Sequence, residues 1–345
     1  MNFSQRILNW YHFHGRKNLP WKKKKNVYHI WLSEIMLQQT TVKTVIPFFK
    51  KFIKKFQTLQ KLSQASLNEI LYLWSGLGYY RRAHFVYQTI NIIFKKYNGC
   101  FPKDILLLQK LPGIGKSTAS AILSFTYNFC YAILDSNIKR ILIRIYNIQK
   151  TSTIFLLEKK LWNLINNLIS IHHPDKFNQA MMDLGALICT SHNPKCDLCP
   201  CQNICIFFKN KKKYILKFPK KKLKKKKVKI LLLILQYKFY IFLIQQNKKK
   251  FWPNLFCFPM FFFKKENFYK KFYKKIFKKK KNLPILHIFS HMQLLLFPFY
   301  LKISNKKNIQ KHKSKQKIWL NLKNPQKIGI PTPIQKILNR ITYEK

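Results

Sequence analysis

A run of lysine cuts the sequence in two. Residues 209 to 229 hold thirteen lysines among 21 positions. Like charges at that density cannot pack against one another, so the run reads as a Lys-rich linker or basic arm. Hydrophobic cores must form on either side of it, and 345 residues suffice for two. The two flanks differ in texture. Before the run, apolar residues recur at helical spacing in VYHIWLSEIMLQQTTVKTVIPFFKKFIKKF and in STASAILSFTY. Turn signals separate the segments at SGLGYY, YNGCFP, LPGIGK and HHPDKFN. After the run, KILLLILQ and FYIFLIQQ flank a short break and predict a β-hairpin. Short apolar and aromatic segments follow, and TPIQKILNRITYEK predicts a helix. The expected architecture is a mainly α domain over 1–208, a linker over 209–229 and an α+β domain over 230–345.

The chain carries 67 Lys and Arg against 10 Asp and Glu, a formal charge of +57. Such an excess calls for a polyanionic partner, nucleic acid first. The sequence is also rich in Lys, Asn, Ile and Phe, the residues of A/T-rich codons, so mutational bias is a second source of lysine. Apolar runs such as ILLLIL at 230–235 fall far short of a bilayer span. The opening MNFSQRILNWYHF lacks a secretory design, and a soluble cytoplasmic protein is expected. Where acids are this scarce, a carboxylate in apolar surroundings stands out. Glu34 and Asp135 are two such.

Five cysteines fall within residues 189–205. Four of them, Cys189, Cys196, Cys199 and Cys205, have the spacing C-x6-C-x2-C-x5-C, and Cys201 is extra. In a cytosolic protein these read as metal ligands or reactive thiols before disulfides. Four thiolates suit either Zn²⁺ or an iron–sulfur cluster.

The segment LPGIGKSTASAIL, 111–123, invites a phosphate-loop reading through GKST. That motif needs a glycine where Lys110 stands, so a nucleoside triphosphatase is excluded. The better reading is a tight turn opening a helix. Gly113 and Gly115 let the backbone approach a phosphate, which the N–H groups at the helix start then bind. Asp135 lies eighteen residues after Ser117. An Asp ahead of a helix is ordinarily an N-cap. Glu34 shares a helix with Trp31, Ile35 and Leu37. Burial there would raise its pKa and let it act as an acid near neutrality, whereas a surface position would make it an ordinary polar residue.

The order hairpin, helix, Asp resembles the helix–hairpin–helix DNA glycosylase superfamily. The cysteine spacing is similar to the [4Fe–4S] loop of its endonuclease III and adenine glycosylase branch. WLSEIMLQQT, 31–40, resembles the signature of the adenine-specific mismatch glycosylases, the MutY family. GRKNLPW, LWSGLGYYRRA, ILDSNIKR and FNQAMMDLGALICT resemble the same family in order and spacing, almost continuously over 1–205. The resemblance implies one [4Fe–4S] cluster that braces a loop, with Lys195 and its neighbours on the DNA backbone. It implies Glu34 as the acid, Asp135 facing the sugar, and Asn137 helping to place the water or the Asp. Trp21 and Gln179 would line an adenine pocket. Gln39 and Tyr79, with Leu77 beside them, would wedge into the base stack. Ser117 occupies the position at which glycosylase-lyases carry a nucleophilic lysine, and serine forms no Schiff base. Lys116 is offset by about 100° around the helix and should point away. Ser136 departs from the family, which has glycine there.

FWPNLFCFPMF, 251–261, and HIFSH, 287–291, resemble the family's C-terminal Nudix-like domain, which recognises 8-oxoguanine. Ser290 and His291 would contact the lesion or its strand. Glu266 is the only acid between 252 and 343, too few for a Mg²⁺-binding glutamate box, so this domain should bind without hydrolysing. The implied protein is a monofunctional glycosylase, a monomer acting on double-stranded DNA with 8-oxoguanine:A or G:A mispairs, with no membrane or nucleoside triphosphate partner. The alternatives are an endonuclease III-like glycosylase/lyase, a DNA-binding module without catalysis, and a zinc-bound structural factor.

Overall fold

The structure, a computed structural model, describes residues 1–23, 25–149, 153–210, 225–247, 251–262, 284–289, 292–306 and 316–343. Ser290, His291 and Glu266 lie outside these residues. The chain forms two compact units, Met1–Gln64 with Phe85–Phe218, and Ala65–His84 with Pro219–Lys345. Along the chain the helices are α1 Phe3–His14, α2 Val27–Leu37, α3 Val42–Lys55, α4 Leu59–Ser63, α5 Leu67–Trp74, α6 Arg81–Tyr97, α7 Ile105–Gln109, α8 Lys116–Tyr127, α9 Ser136–Ile145, α10 Ile154–Leu168, α11 Pro174–Leu187, α12 Ile206–Lys209 and α13 Thr332–Tyr343. Among the described residues no helix is long and apolar enough to cross a membrane.

The first unit is helical because its segments carry apolar stripes and local stops. α2 is buried on most sides, with Trp31, Leu32, Ile35 and Met36 in the core. Side chains close the helix starts: Asn2 accepts from Gln5 N at α1, Thr153 from Leu156 N at α10 and Asp135 from Ile138 N at α9. The long periodic stretch from Val27 is interrupted once. Gln39 takes a left-handed φ of 58°, ends α2 and lets α3 start at Val42. α11 crosses the middle of the unit, packing against α1, α8 and α9. Its buried face is Phe177, Ala180, Met181 and Leu184.

The second unit is built on a mixed sheet of β1 Lys226–Tyr237, β2 Tyr240–Gln245, β3 Phe256–Cys257, β4 Met260–Phe262, β5 Ile285–Ile288, β6 Met292–Lys302 and β7 Lys317–Asn321. The main order is β3-β2-β1-β6-β5, with β4 on β1 and β7 on β2. The predicted hairpin is present, with Tyr237 opposite Tyr240 and Lys238 in a left-handed turn. β1 and β6 run parallel, from Lys226↔Met292 to Gln236↔Lys302. Alternating Ile230, Leu232 and Ile234 are fully buried, while the strand's first lysines stay in solvent.

Two expectations change. The linker was to extend to 229, but β1 begins at Lys226, because ladder hydrogen bonds come from the backbone and exposed lysines do not hinder them. Residues 65–84 were expected in the N-terminal domain, yet they pack in the second unit. Tyr80 Oη donates to Ile330 O at 3.3 Å and Ile330 N donates to Ser75 Oγ at 3.2 Å. Gly329 lies so close to α5 that a Cβ there would meet Leu71 Cβ at 2.8 Å. Contacts this distant in sequence leave no trace in local periodicity.

Candidate active site and cysteine loop

Two cavities of the first unit share one wall. A pocket of about 160 Å³ is lined by Trp21, Glu34 and Gln179, together with Tyr11, Lys22, Ser33 and Phe125. A cleft of about 760 Å³ is lined by Glu34, Gln39, Ser117, Asp135, Asn137 and Arg16, among others. Glu34 faces both. Its helix is otherwise apolar, so the carboxyl loses water without gaining a compensating hydrogen bond. Burial first, and then the charge of Asp135, push its pKa up to about 7.

Asp135 has a different environment. Burial raises its pKa as well, but hydrogen bonds from Ile138 N and from Asn137, and the charge of Arg140, pull it back. Oδ1 accepts from Ile138 N at 2.8 Å and Oδ2 from Asn137 Nδ2 at 2.9 Å. Asp135 is thus the N-cap of α9 and a cleft residue at once, and capping fixes where its carboxylate points. Asn137 is held in turn. Arg140 Nη2 donates to Asn137 Oδ1 at 2.9 Å and to Gly185 O at 2.7 Å, and its Nε donates to Cys189 O at 2.8 Å. α11 and α9 touch at this point, where a Cβ on Gly185 would come within 2.6 Å of Asn137 Cβ. Ser136 is the first residue of α9 and has no left-handed φ, so the backbone accepts a serine here.

The hairpin places the start of α8 at the cleft. Gly113 has a φ of +78°, and a Cβ on it would strike the Phe85 ring at 2.7 Å. Its carbonyl accepts from Gln38 Nε2 at 3.0 Å. Gly115 caps α8, with open space where a side chain would be. Ser117 Oγ donates to Leu134 O at 3.0 Å, next to Asp135. The Lys116 ammonium instead sits 4.1 Å from the centroid of the Trp162 ring, and Lys116 does not line the cleft. Gln39 is exposed at the cleft edge in its left-handed conformation. In the second unit Tyr79 is likewise exposed with a φ of 48°, and the Arg82 guanidinium lies 5.3 Å from its ring centroid. Leu77, two residues before Tyr79, is 5% exposed and packs in the core of that unit.

Cys189, Cys196, Cys199 and Cys205 line one cavity with Ile141 and Leu184. Cys201 is buried outside that lining and hydrogen-bonds with Cys199, whose thiol that bond pulls down to about 7. Arg144 braces the loop: Nη1 donates to Cys189 Sγ at 3.3 Å and to Thr190 O at 2.7 Å. Among the described residues no disulfide joins any of the cysteines. Among the described residues no three His, Cys, Asp or Glu side chains converge on one ion position. Lys195 is exposed on the loop.

The sequence reading missed a buried ion cluster behind both cavities. Asp183, 1% exposed, accepts from Arg16 N at 2.8 Å, Arg16 Nε at 2.9 Å and Arg16 Nη2 at 2.6 Å, and Lys22 Nζ is 3.9 Å away. A signal was present, since Asp183 is a rare carboxylate inside the apolar run FNQAMMDLGALICT. Asn178 was missed for lack of such a signal. Its buried amide accepts from Ile133 N and donates to Ser124 and Tyr131, fixing the strand of chain that leads into Asp135.

Residues 32–167 match the HhH-GPD superfamily base excision DNA repair protein family, and residues 230–340 match the NUDIX domain. An adenine DNA glycosylase of Buchnera aphidicola subsp. Schizaphis graminum (strain Sg) is 50% identical over 341 residues, 97% of each chain. The adenine DNA glycosylase of Homo sapiens is 36% identical over 59% of this chain and 39% of its own length. The solved structure of a thermostable thymine-DNA glycosylase superposes with a TM-score of 0.56 at 26% identity, over 60% of this chain and 95% of its own. Half identical to such a relative over nearly its whole length, and matching the base excision repair and NUDIX families in its two parts, the chain belongs to the adenine DNA glycosylase family.

Proposed function

We propose that the protein is a monofunctional glycosylase that removes adenine paired with 8-oxoguanine or guanine and leaves an abasic site. The observation that carries this reading is Glu34, held near neutrality at the wall between a purine-sized pocket and the cleft containing Asp135. The flipped adenine enters between Trp21 and Gln179, and unstacking costs least at a mispair. Gln39 and Tyr79 fill the vacated stack; both already hold the strained left-handed backbone that projects a loop side chain. The hairpin amides at Gly113 and Gly115 and the Lys195 loop bind phosphates, with the salt dependence of such contacts. Glu34 donates its proton to a ring nitrogen of adenine, N7 by family resemblance. The N-glycosidic bond then breaks with its electrons leaving on the base. Asp135, its carboxylate oriented by hydrogen bonds from Ile138 N and Asn137, stabilises the cationic sugar, and water adds at the anomeric carbon with loss of a proton. Ser117 supports hydrolysis over lyase chemistry, because its hydroxyl is engaged with Leu134 O and has no amine.

Cys189, Cys196, Cys199 and Cys205 would hold one [4Fe–4S] cluster; four thiols on a shared cavity suit it, and Cys201 stays outside. The cluster supplies bracing of the loop and no catalytic group. Ser290 and His291 would read 8-oxoguanine from the second unit. The test is single-turnover adenine release from an 8-oxoguanine:A duplex, each sample split before and after alkali. Strand breaks only after alkali are expected. Breaks without alkali would establish the lyase instead, and tight binding without release would leave a DNA-binding module.

A further inference from the structure

Lys22 has no part in the steps above, yet it lines the pocket that holds the base. It stands in the turn directly after Trp21, and its side chain is only 15% exposed. The ammonium uses all three directions on protein groups. Nζ donates to Arg16 O at 2.6 Å and to Tyr11 Oη at 3.2 Å, and it faces Asp183 Oδ2 at 3.9 Å. These partners come from separate places: Tyr11 from α1, Arg16 from the loop after it, Asp183 from α11. Tyr11 is itself a wall of the pocket and lies against Gly15, where a Cβ would meet its ring at 2.2 Å. The ring therefore cannot move toward Gly15, and Lys22 restrains its hydroxyl end.

We propose that Lys22 is a positioning residue for base excision, tying the Trp21 wall to Tyr11 and to the Arg16–Asp183 pair and so setting the pocket width beside Glu34. The inference rests on the assignment of this pocket to adenine. It carries a pH signature. Burial pulls the Lys22 pKa down to about 8; the charge of Asp183 raises it and that of Arg16 lowers it. Tyr11 is pushed up to about 12 by burial and by Asp183 and Asp175, so it stays a neutral phenol while Lys22 titrates. The other charged groups on the pocket wall are Glu34, Lys25, Asp175 and Lys176, the Lys25–Asp175 ion pair being more exposed. Above pH 8 the amine keeps fewer donors and loses its attraction to Asp183. The fold loses nothing by this, because a lowered lysine pKa means that the folded chain binds the proton more weakly than the unfolded one.

The experiment is single-turnover excision from pH 5.5 to 9.5 with the full-length protein, Lys22→Met and Lys22→Arg, beside thermal melting and mispair binding. For Lys22→Met, excision at pH 7 should fall between about tenfold and a hundredfold, the range for a misplaced reacting group. Its melting temperature and duplex affinity should hold. The parent should show a second alkaline break near pH 8 beyond that of Glu34. Lys22→Arg, which cannot lose its charge there, should lack that break. Lys22→Met excision within twofold of the parent, excision lost together with melting temperature, or an upper break surviving in Lys22→Arg would each overturn the proposal. Glu34→Gln on the same duplex separates the two readings: undiminished excision there would remove the adenine-pocket assignment itself.

Discussion

Both units are rich in lysine, but they accommodate the charge differently. In the first unit acids pair with cations or cap helices: Asp183 with the partly buried Arg16, Glu158 with Lys139 at the surface, Asp104 capping α7. In the second unit acids are fewer still and lysines lie over rings, an arrangement that the first unit also uses at Lys116 and Trp162. Lys306 Nζ is 3.3 Å from the Tyr240 centroid and Lys323 Nζ is 3.9 Å from that of Phe239. A carboxylate network can be buried and can hold or release protons. An ammonium over a ring at the surface gains only modest stability. The buried carboxylates, Glu34, Asp135 and Asp183, all lie in the first unit.

The comparison is sharpest at Glu34. Replacing it with Gln should lower single-turnover excision by two to four orders of magnitude, the scale of a lost general acid, with mispair binding retained. The pH dependence of the parent has a fixed sign. Only the protonated acid donates, so excision should fall about tenfold per pH unit above 7. Stability follows the same direction. The folded chain keeps a proton that the unfolded chain loses from pH 4.5, so this contribution is full below 4.5 and is lost as pH rises through 7. Glu34→Gln should abolish that slope in urea titrations; a slope unchanged in the variant would move the ionisation elsewhere.

Asp183→Asn tests the ion network as structure. Arg16 and Lys22 would be left without their counter-charge, and unfolding in urea should show a loss of about 3–5 kcal/mol. A loss under about 1 kcal/mol would mean that water already screens the pair. Lys306→Met tests the other arrangement and should cost less than about 1 kcal/mol, read by the same titration. A larger loss would give the ring-bound lysines a structural weight that the comparison denies them.

The sequence made some of this legible because certain signals are local. Glu34 and Asp135 were conspicuous as acids among apolar neighbours, Gly113 as part of a turn signal, and the four cysteines by spacing. Partnerships were not legible. Arg16 and Asp183 are 167 residues apart, and nothing near either names the other. Lys22 opens the run KKKK, and nothing in the sequence sets it apart from the other three; its burial does. The placing of 65–84 with the second unit depends on Ile330 and Gly329, more than 240 residues on.

The lysines held over rings in the second unit have one more consequence. A ring attracts a cation without neutralising it, so these contacts leave the unit's excess positive charge in place, and that charge repels itself. A duplex brings the missing negative charge. Binding should then relieve a strain that the free protein carries, and the melting temperature should climb with any polyanion, matched or mismatched. For a chain of formal charge +57, the substrate doubles as the counter-ion of its reader.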